Sequence, residues 1–259
     1  YTGATPNYQE VINAVDAVEA SGFALQSGYF DIFLPSVDSE TVLYGNIGIG
    51  NRIWNGMHYN IITPDNGGGG WNGFSTLAEF YDLFEGDPNE NYIGSGQEER
   101  RGWVPDATTA NNTDNYGIGY GFLIGQQYAA DGTALKDRAG NPLDYSKDFL
   151  LKNSTESQGI RLIKYHPFDG TGAASFRSHE IILRYADAHL MRAEAMLRSG
   201  TGDALAEVNE LRVLRGATPL GAVTLDDMID ERGRELYVEF FRRNDLLRFG
   251  QFTKAIEQK

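Results

Sequence analysis

Glycine is unevenly spread along this chain, and that unevenness restricts the possible folds more than any other feature. Many of the 31 glycines fall between residues 45 and 140, including four in succession at Gly67 to Gly70. Glycine loses more backbone freedom on ordering than any other residue, so such a run does not hold a regular element cheaply. Long shaped loops are therefore expected in the first part. In the last 80 residues or so, apolar residues recur at helical spacing instead. The expected organisation is one domain, with a loop-rich ligand region over about 45–175 and a helical scaffold over about 176–259.

Local signals refine this outline. Thr5, Pro6 and Gly22 punctuate a first helix with Val11, Ile12, Val15 and Val18 along one face. Tyr29 to Leu34 is a short aromatic run stopped by Pro35, and Glu40 to Tyr44 reads as a strand. A second helix is expected from about Thr76 to Phe84, with Leu77, Phe80, Tyr81 and Phe84 as its stripe. Residues 85–116 read as loop, with Trp103 inside. Strands are expected over 121–128 and at Ala134-Leu135, joined around Asp131-Gly132, and again over 160–165. Ser178 is the candidate cap of a long helix through Leu197 that buries Ile181, Ile182, Tyr185, Leu190, Ala193 and Leu197. A helix from Asp203 to Leu214, closed by Gly216, completes a hairpin like one tetratricopeptide-type unit. Thr224 and Asp227 form a capping-box pattern ahead of a helix carrying Met228, Leu236, Tyr237 and Phe240 inward. A short helix near Arg243 to Phe249 ends the pattern. The expected fold class is mainly α, with long irregular loops and a few short strands.

Composition excludes several functions. Asp and Glu number 36 against 22 Lys and Arg, a net charge of −14 that repels phosphate backbones and anionic lipid head groups. Nucleic acid is therefore not an expected partner, whereas neutral ligands are compatible. Cysteine is absent, which removes thiol nucleophiles, disulfides and Cys-ligated metals. No apolar run approaches the roughly 20 residues of a membrane helix. The start at Tyr1-Thr2-Gly3 reads as that of a processed or truncated piece, with any export signal upstream.

Enzyme signatures fare poorly. His179-Glu180 opens like a zinc-protease helix, but position 183 is Leu where the second His belongs. Gly117, Gly119 and Gly121 resemble part of a dinucleotide fingerprint, yet Phe122 to Gly125 reads as a strand where a helix must start. Asp87, Asn89, Asn91 and Glu98 fit four positions of a calcium loop, but Tyr92 replaces its glycine, so an ordinary polar loop is expected. No catalytic residue, metal site or cofactor is expected.

The segment from 54 to 72 combines Trp54, Tyr59 and Trp71 with Asn55, Asn60, Asp65, Asn66 and Asn72. A sugar ring has an apolar C–H face, which an aromatic plane matches, and a hydroxyl edge, which Asn and Asp match. The candidate ligand residues are Trp71, Asn72, Asp65, Asn66, Trp54 and Tyr59. Trp54 and Tyr59 serve equally well as loop anchors tucked into a core, and Trp103 fits either role. The charged run of Glu231, Arg232, Arg234, Glu235, Arg242, Arg243, Asp245 and Arg248 reads first as ion pairs interlocking helices and only second as an anion site.

The carboxy-terminal residues carry a resemblance. Leu183-Arg184-Tyr185-Ala186-Asp187 and Leu190-Met191-Arg192-Ala193-Glu194-Ala195 resemble a characteristic helix of the SusD/RagB family. Asn209, Arg212 and Gly216, then Asp230 to Leu236, then Phe241 to Gly250 are similar to further motifs of that family, with Phe241 where glycine is usual. Trp71 to Phe74 ahead of Phe80 to Phe84, and Gly125 to Tyr128 with Gly132, resemble its ligand-loop segments. The resemblance covers the later half of a usual member. It implies a tetratricopeptide-type helical scaffold and a non-catalytic, glycan-binding lipoprotein on the outer face of a Bacteroidetes outer membrane. It implies an upstream lipid anchor, oligosaccharide ligands (sometimes peptides), and a SusC-like TonB-dependent transporter as partner. It places glycan contacts on aromatic loop residues, here Trp71 and its neighbours, and makes the carboxy-terminal motifs scaffold. The alternative is a protein- or peptide-binding lid of the transporter without glycan affinity.

Overall fold

The computed structural model describes residues 5–47, 53–63, 69–111, 116–150, 152–167 and 179–254. In chain order the helices are α1 (Tyr8–Ala20), α2 (Ala78–Tyr81), α3 (Ala107–Ala110), α4 (Tyr185–Ser199), α5 (Ala204–Leu214), α6 (Leu225–Leu236) and α7 (Arg242–Arg248). The strands are β1 (Thr41–Gly45), β2 (Gly102–Trp103), β3 (Tyr120–Leu123), β4 (Gly125–Gln126), β5 (Asp144–Tyr145), β6 (Arg161–Ile163) and β7 (Glu180–Arg184). The fold is mainly α, with a few short strands. The chain divides into two units, one of residues 1–27, 38–44 and 181–259, the other of residues 28–37 and 45–180.

In the helical unit, α1 packs on α4, which in turn packs on α5 and α6. Leu190, Ala193, Val208, Leu211 and Met228 form one core, and Val15, Tyr185 and Ala188 a second. The caps are local. Asp203 accepts from the Ala206 amide, and Thr224 and Asp227 form a reciprocal capping box. The α4–α5 turn runs through Gly200 in the left-handed conformation. On α1 the capping residue is Asn7 rather than Thr5, because its side chain reaches the Glu10 amide at 3.3 Å.

Two sequence expectations are corrected here. Residues 180–184 are not the first turns of a helix: they form β7, which pairs with β1, and the helix starts only at Tyr185. Ile182 consequently points outward and is exposed while Ile181 is buried, following the alternation of a strand. The proposed cap, Ser178, lies outside the described residues. Phe240 is also exposed, because the chain turns extended at Tyr237 and leaves the helical period.

The loop-rich unit is built around aromatic packing. Phe80, Tyr81 and Phe84 surround Phe122, with centroids 6.1, 5.4 and 4.6 Å away. The expected helix over 76–84 is shortened to α2, since these rings are placed by Phe122 rather than by helical spacing. β2, β3 and β6 make an antiparallel sheet, and β4 pairs with β5. The turn at Asp131-Gly132 joins Tyr128 and Ala134 as expected. The calcium-loop candidates are occupied otherwise. The Asn91 amide donates to the carbonyls of Arg101 and Phe122 at 3.0 and 2.8 Å, and Glu98 pairs with Arg100.

Candidate ligand-binding site

The chain from Gly70 to Phe74 lies as a strap against the turn at 54–58. The amides of Gly70, Trp71, Asn72 and Gly73 donate to the carbonyls of His58, Trp54, Met57 and Asn55 at 2.7–2.9 Å. Such close apposition requires glycine at 70, where a Cβ would collide with the Met57 carbonyl. Asn72 adopts a left-handed φ of 50°, which asparagine tolerates better than most residues. Its Oδ1 accepts from Arg161 Nε at 2.9 Å, and its Nδ2 donates to the Glu156 carbonyl at 3.1 Å. Arg161 is buried and also donates to the carbonyls of Glu156, Gln158 and Gly159 at 2.6–2.9 Å. One guanidinium thus ties the strap to the 156–159 loop.

This backbone clamp leaves two side chains of the strap in solvent: Trp71 is 58% exposed and Phe74 65%. Phe74 lines a pocket of about 250 Å³ together with Asn72, Ser154, Thr155, Glu156 and Gln158. A phenyl ring next to hydroxyl and amide groups can hold the two kinds of sugar surface, and the exposed indole lies three residues before it on the strap.

The other candidates are placed differently. Trp54 is 5% exposed and sits in the core with Ile53 and Met57, so it anchors the strap and offers no ring to a ligand. Tyr59 is 37% exposed, but the Arg138 guanidinium lies 4.1 Å from its ring centroid and covers one face. Asn72 uses both amide atoms internally. Asp65 and Asn66 lie outside the described residues. Trp103 is half-buried on β2.

Sequence reasoning missed the charged support beneath the strap. His58 Nδ1 accepts from the Asn60 amide at 3.1 Å, which leaves Nε2–H to donate to Glu156 at 2.9 Å. Arg138 donates to the same carboxylate from its backbone and its guanidinium. Burial opposes the charge on Glu156, but these donors outweigh it and hold the pKa down at about 2. Burial moves His58 below its ordinary 6.5, against the pull of Glu156. No spacing rule links residues 58, 138 and 156, so the sequence carried no signal for them.

The folded pKa of Glu156 lies below the unfolded value of 4.5, so its stabilisation is full above 4.5 and lost as pH falls through about 2. Glu156→Gln should therefore flatten the melting temperature against pH between 4.5 and 2, read by thermal denaturation at each pH.

His189, Glu207 and Glu210 bring possible metal-ligand atoms within 4.8 Å of one another. Glu207 is already bonded to Arg192 Nε at 2.9 Å and His189 Nε2 to the Glu207 carbonyl at 2.8 Å, so two of the three are engaged in packing, while Glu210 is exposed.

The helical unit and the loop-rich unit, with its exposed Trp71 and Phe74, match known proteins over most of the chain. Residues 39–259 match the family model described as SusD family, and the chain belongs to that family. Over 103 residues it is 40% identical to the starch-binding protein SusD of Bacteroides thetaiotaomicron, covering 38% of this chain and 18% of that protein. Its fold is similar to surface glycan-binding protein A from Bacteroides uniformis, with TM-score 0.62 and 22% identity over 96% of this chain and 46% of that one. It is also similar to surface glycan-binding protein A from Bacteroides thetaiotaomicron in complex with laminarihexaose, with TM-score 0.54 and 20% identity over 94% of this chain and 52% of that one. The match thus covers less than a fifth of the length of the curated relative, and the chain spans about half of each of these solved structures. Among the described residues, no helix is long and apolar enough to cross a membrane.

Proposed function

We propose that this chain is the later part of a non-catalytic, cell-surface protein that captures oligosaccharides and delivers them to a SusC-like, TonB-dependent outer-membrane transporter. The observation that carries this reading is the solvent-exposed indole of Trp71 on a strap clamped at Gly70, Asn72 and Arg161. The clamp fixes the backbone that carries the indole, so binding has only its side-chain torsions left to order. Phe74 extends the platform, and the pocket beside it accepts hydroxyl groups. The glycan-binding names of the relatives support the same ligand class. Attachment to the outer membrane is through a lipid anchor upstream of this chain, as the family assignment suggests.

A hydrolytic role fits poorly. A glycosidase needs a pair of carboxyl groups flanking the bond it cleaves, and among the described residues lining this pocket Glu156 is the one carboxylate.

Electrophoresis of the purified protein through gels containing soluble α- or β-glucans tests the reading. Retardation by at least one glucan is expected, with no release of reducing sugar. Failure of a broad glycan panel, together with tight co-purification with the transporter, would instead support the peptide-binding lid. Reducing-sugar release would overturn the non-catalytic assignment.

A further inference from the structure

A second, larger cavity lies in the loop-rich unit, about 790 Å³ in volume, and shares no lining residue with the pocket beside Asn72 and Phe74. Its aromatic wall follows from strand register. Trp103 on β2 pairs directly with Tyr120 on β3, so both side chains project from one face, with ring centroids 5.8 Å apart. Gly102 permits the approach: its φ is +70°, and a Cβ there would strike the Tyr120 carbonyl. Phe30 abuts Tyr120 at 5.4 Å, and His166 stacks on Tyr120 at 4.2 Å, which fixes the phenol ring.

The polar lining is acidic. Asp31, Glu98 and Glu99 line the cavity, and they are its charged groups among the described residues. Glu98 is buried and neutralised by Arg100 at 2.5 Å. Among the described residues Glu99 commits only Oε1, to the Tyr29 amide at 2.8 Å, and Asp31 is exposed at the start of its turn. Burial, with the Asp31 carboxylate nearby, pushes the Tyr120 phenol up to about 12, so it stays a neutral hydroxyl. Aromatic faces beside carboxylates attract an organic cation by ring quadrupole and by charge. The volume is far beyond one ammonium group or metal ion and falls within the range of extended ligands.

We propose that this cavity is a second ligand site, selective for oligosaccharides carrying unacetylated, protonated amino groups. Trp103 and Tyr120 meet the C–H faces of the sugar rings, and Asp31 and Glu99 meet the ammonium groups. The proposal does not depend on Trp71.

Isothermal titration of the full chain with glucosamine hexamer and with N-acetylglucosamine hexamer, at a pH where the amines are charged, tests it. The amine form is expected to bind at least about tenfold more tightly, and added salt to weaken it. Asp31→Asn and Trp103→Ala should each weaken that binding about tenfold, whereas Trp71→Ala should leave it unchanged. Asp31→Asn alters an exposed group, so it remains decisive should Trp103→Ala fold poorly. Equal affinity for the two hexamers overturns the proposal. So does binding indifferent to Asp31→Asn, which would mark a general attraction of the acidic surface. Equally tight binding of a hexalysine peptide would assign the cavity to basic peptides and also overturn it.

Discussion

Trp71→Ala is expected to abolish retardation in a glucan-containing gel while leaving the fold intact. The indole is mostly in solvent, and the strap is held by backbone hydrogen bonds that alanine preserves. The stability change should therefore stay within about 0.5 kcal/mol, as for other surface replacements. Binding should fall by roughly 2 kcal/mol or more, the size typical of a central aromatic contact, or about thirtyfold in affinity. Titration with the glucan that retards the parent protein, beside a thermal melt, separates the two effects. Undiminished affinity in a folded variant would remove Trp71 from the site. A lowered melting temperature of several degrees would instead make the indole part of the packing. Phe74→Ala should give a smaller loss of the same kind, since a phenyl ring offers less stacking area than an indole.

Arg184→Met is expected to be the most destabilising single change in the helical unit, by roughly 3–5 kcal/mol. The fully buried guanidinium uses all five of its N–H groups. Nη1 bonds Glu40 and Glu235 at 2.5 and 2.7 Å, Nε bonds Glu239 at 2.8 Å, and Nη2 bonds Glu239 and the Glu235 carbonyl at 2.8 and 2.7 Å. Arg215 adds a second cation, with Nη2 at 2.9 Å from Glu235. Burial works against the charge on Arg184, but the surrounding glutamates outweigh it and raise its pKa well above the ordinary value. Methionine would fill much of the space yet deprive three buried glutamates of the cation they share. Arg184→Lys should restore only part of the loss, because an ammonium lacks the planar fork and two of the five donors. Urea unfolding midpoints of the three proteins measure this. A loss under about 1 kcal/mol for Arg184→Met would show that the glutamates relax into water instead.

The two predictions concern groups of opposite legibility. Trp71 stood out because an indole beside a glycine run has few local partners, and its exposure agrees with that reading. The interlocking of helices by arginine was also readable at short range: Glu231 meets Arg234 at 3.1 Å, three residues along α6. What spacing could not show is that Glu231 also takes Arg212 at 2.7 Å from α5, or that Glu40 faces Arg184 across 144 residues of sequence. Trp54 and Trp71 have similar flanking residues, yet one is a buried anchor and the other a platform. Only the fold of the strap onto residues 54–58 separates them.

By itself the sequence determined what is settled within about one turn of chain. The Thr224–Asp227 box, the Asp203 cap and the turn at Asp131-Gly132 each close a short hydrogen-bonded ring, so neighbouring residues suffice to specify them. The tertiary structure decided whatever depends on a distant partner. Residues 180–184 became a strand because β1 lies beside them, Tyr59 lost one open face to Arg138, and Glu156 was drawn under the platform by His58 and Arg138. Strand pairing, burial and charge neutralisation are satisfied in space, and no local pattern encodes which far residue will arrive.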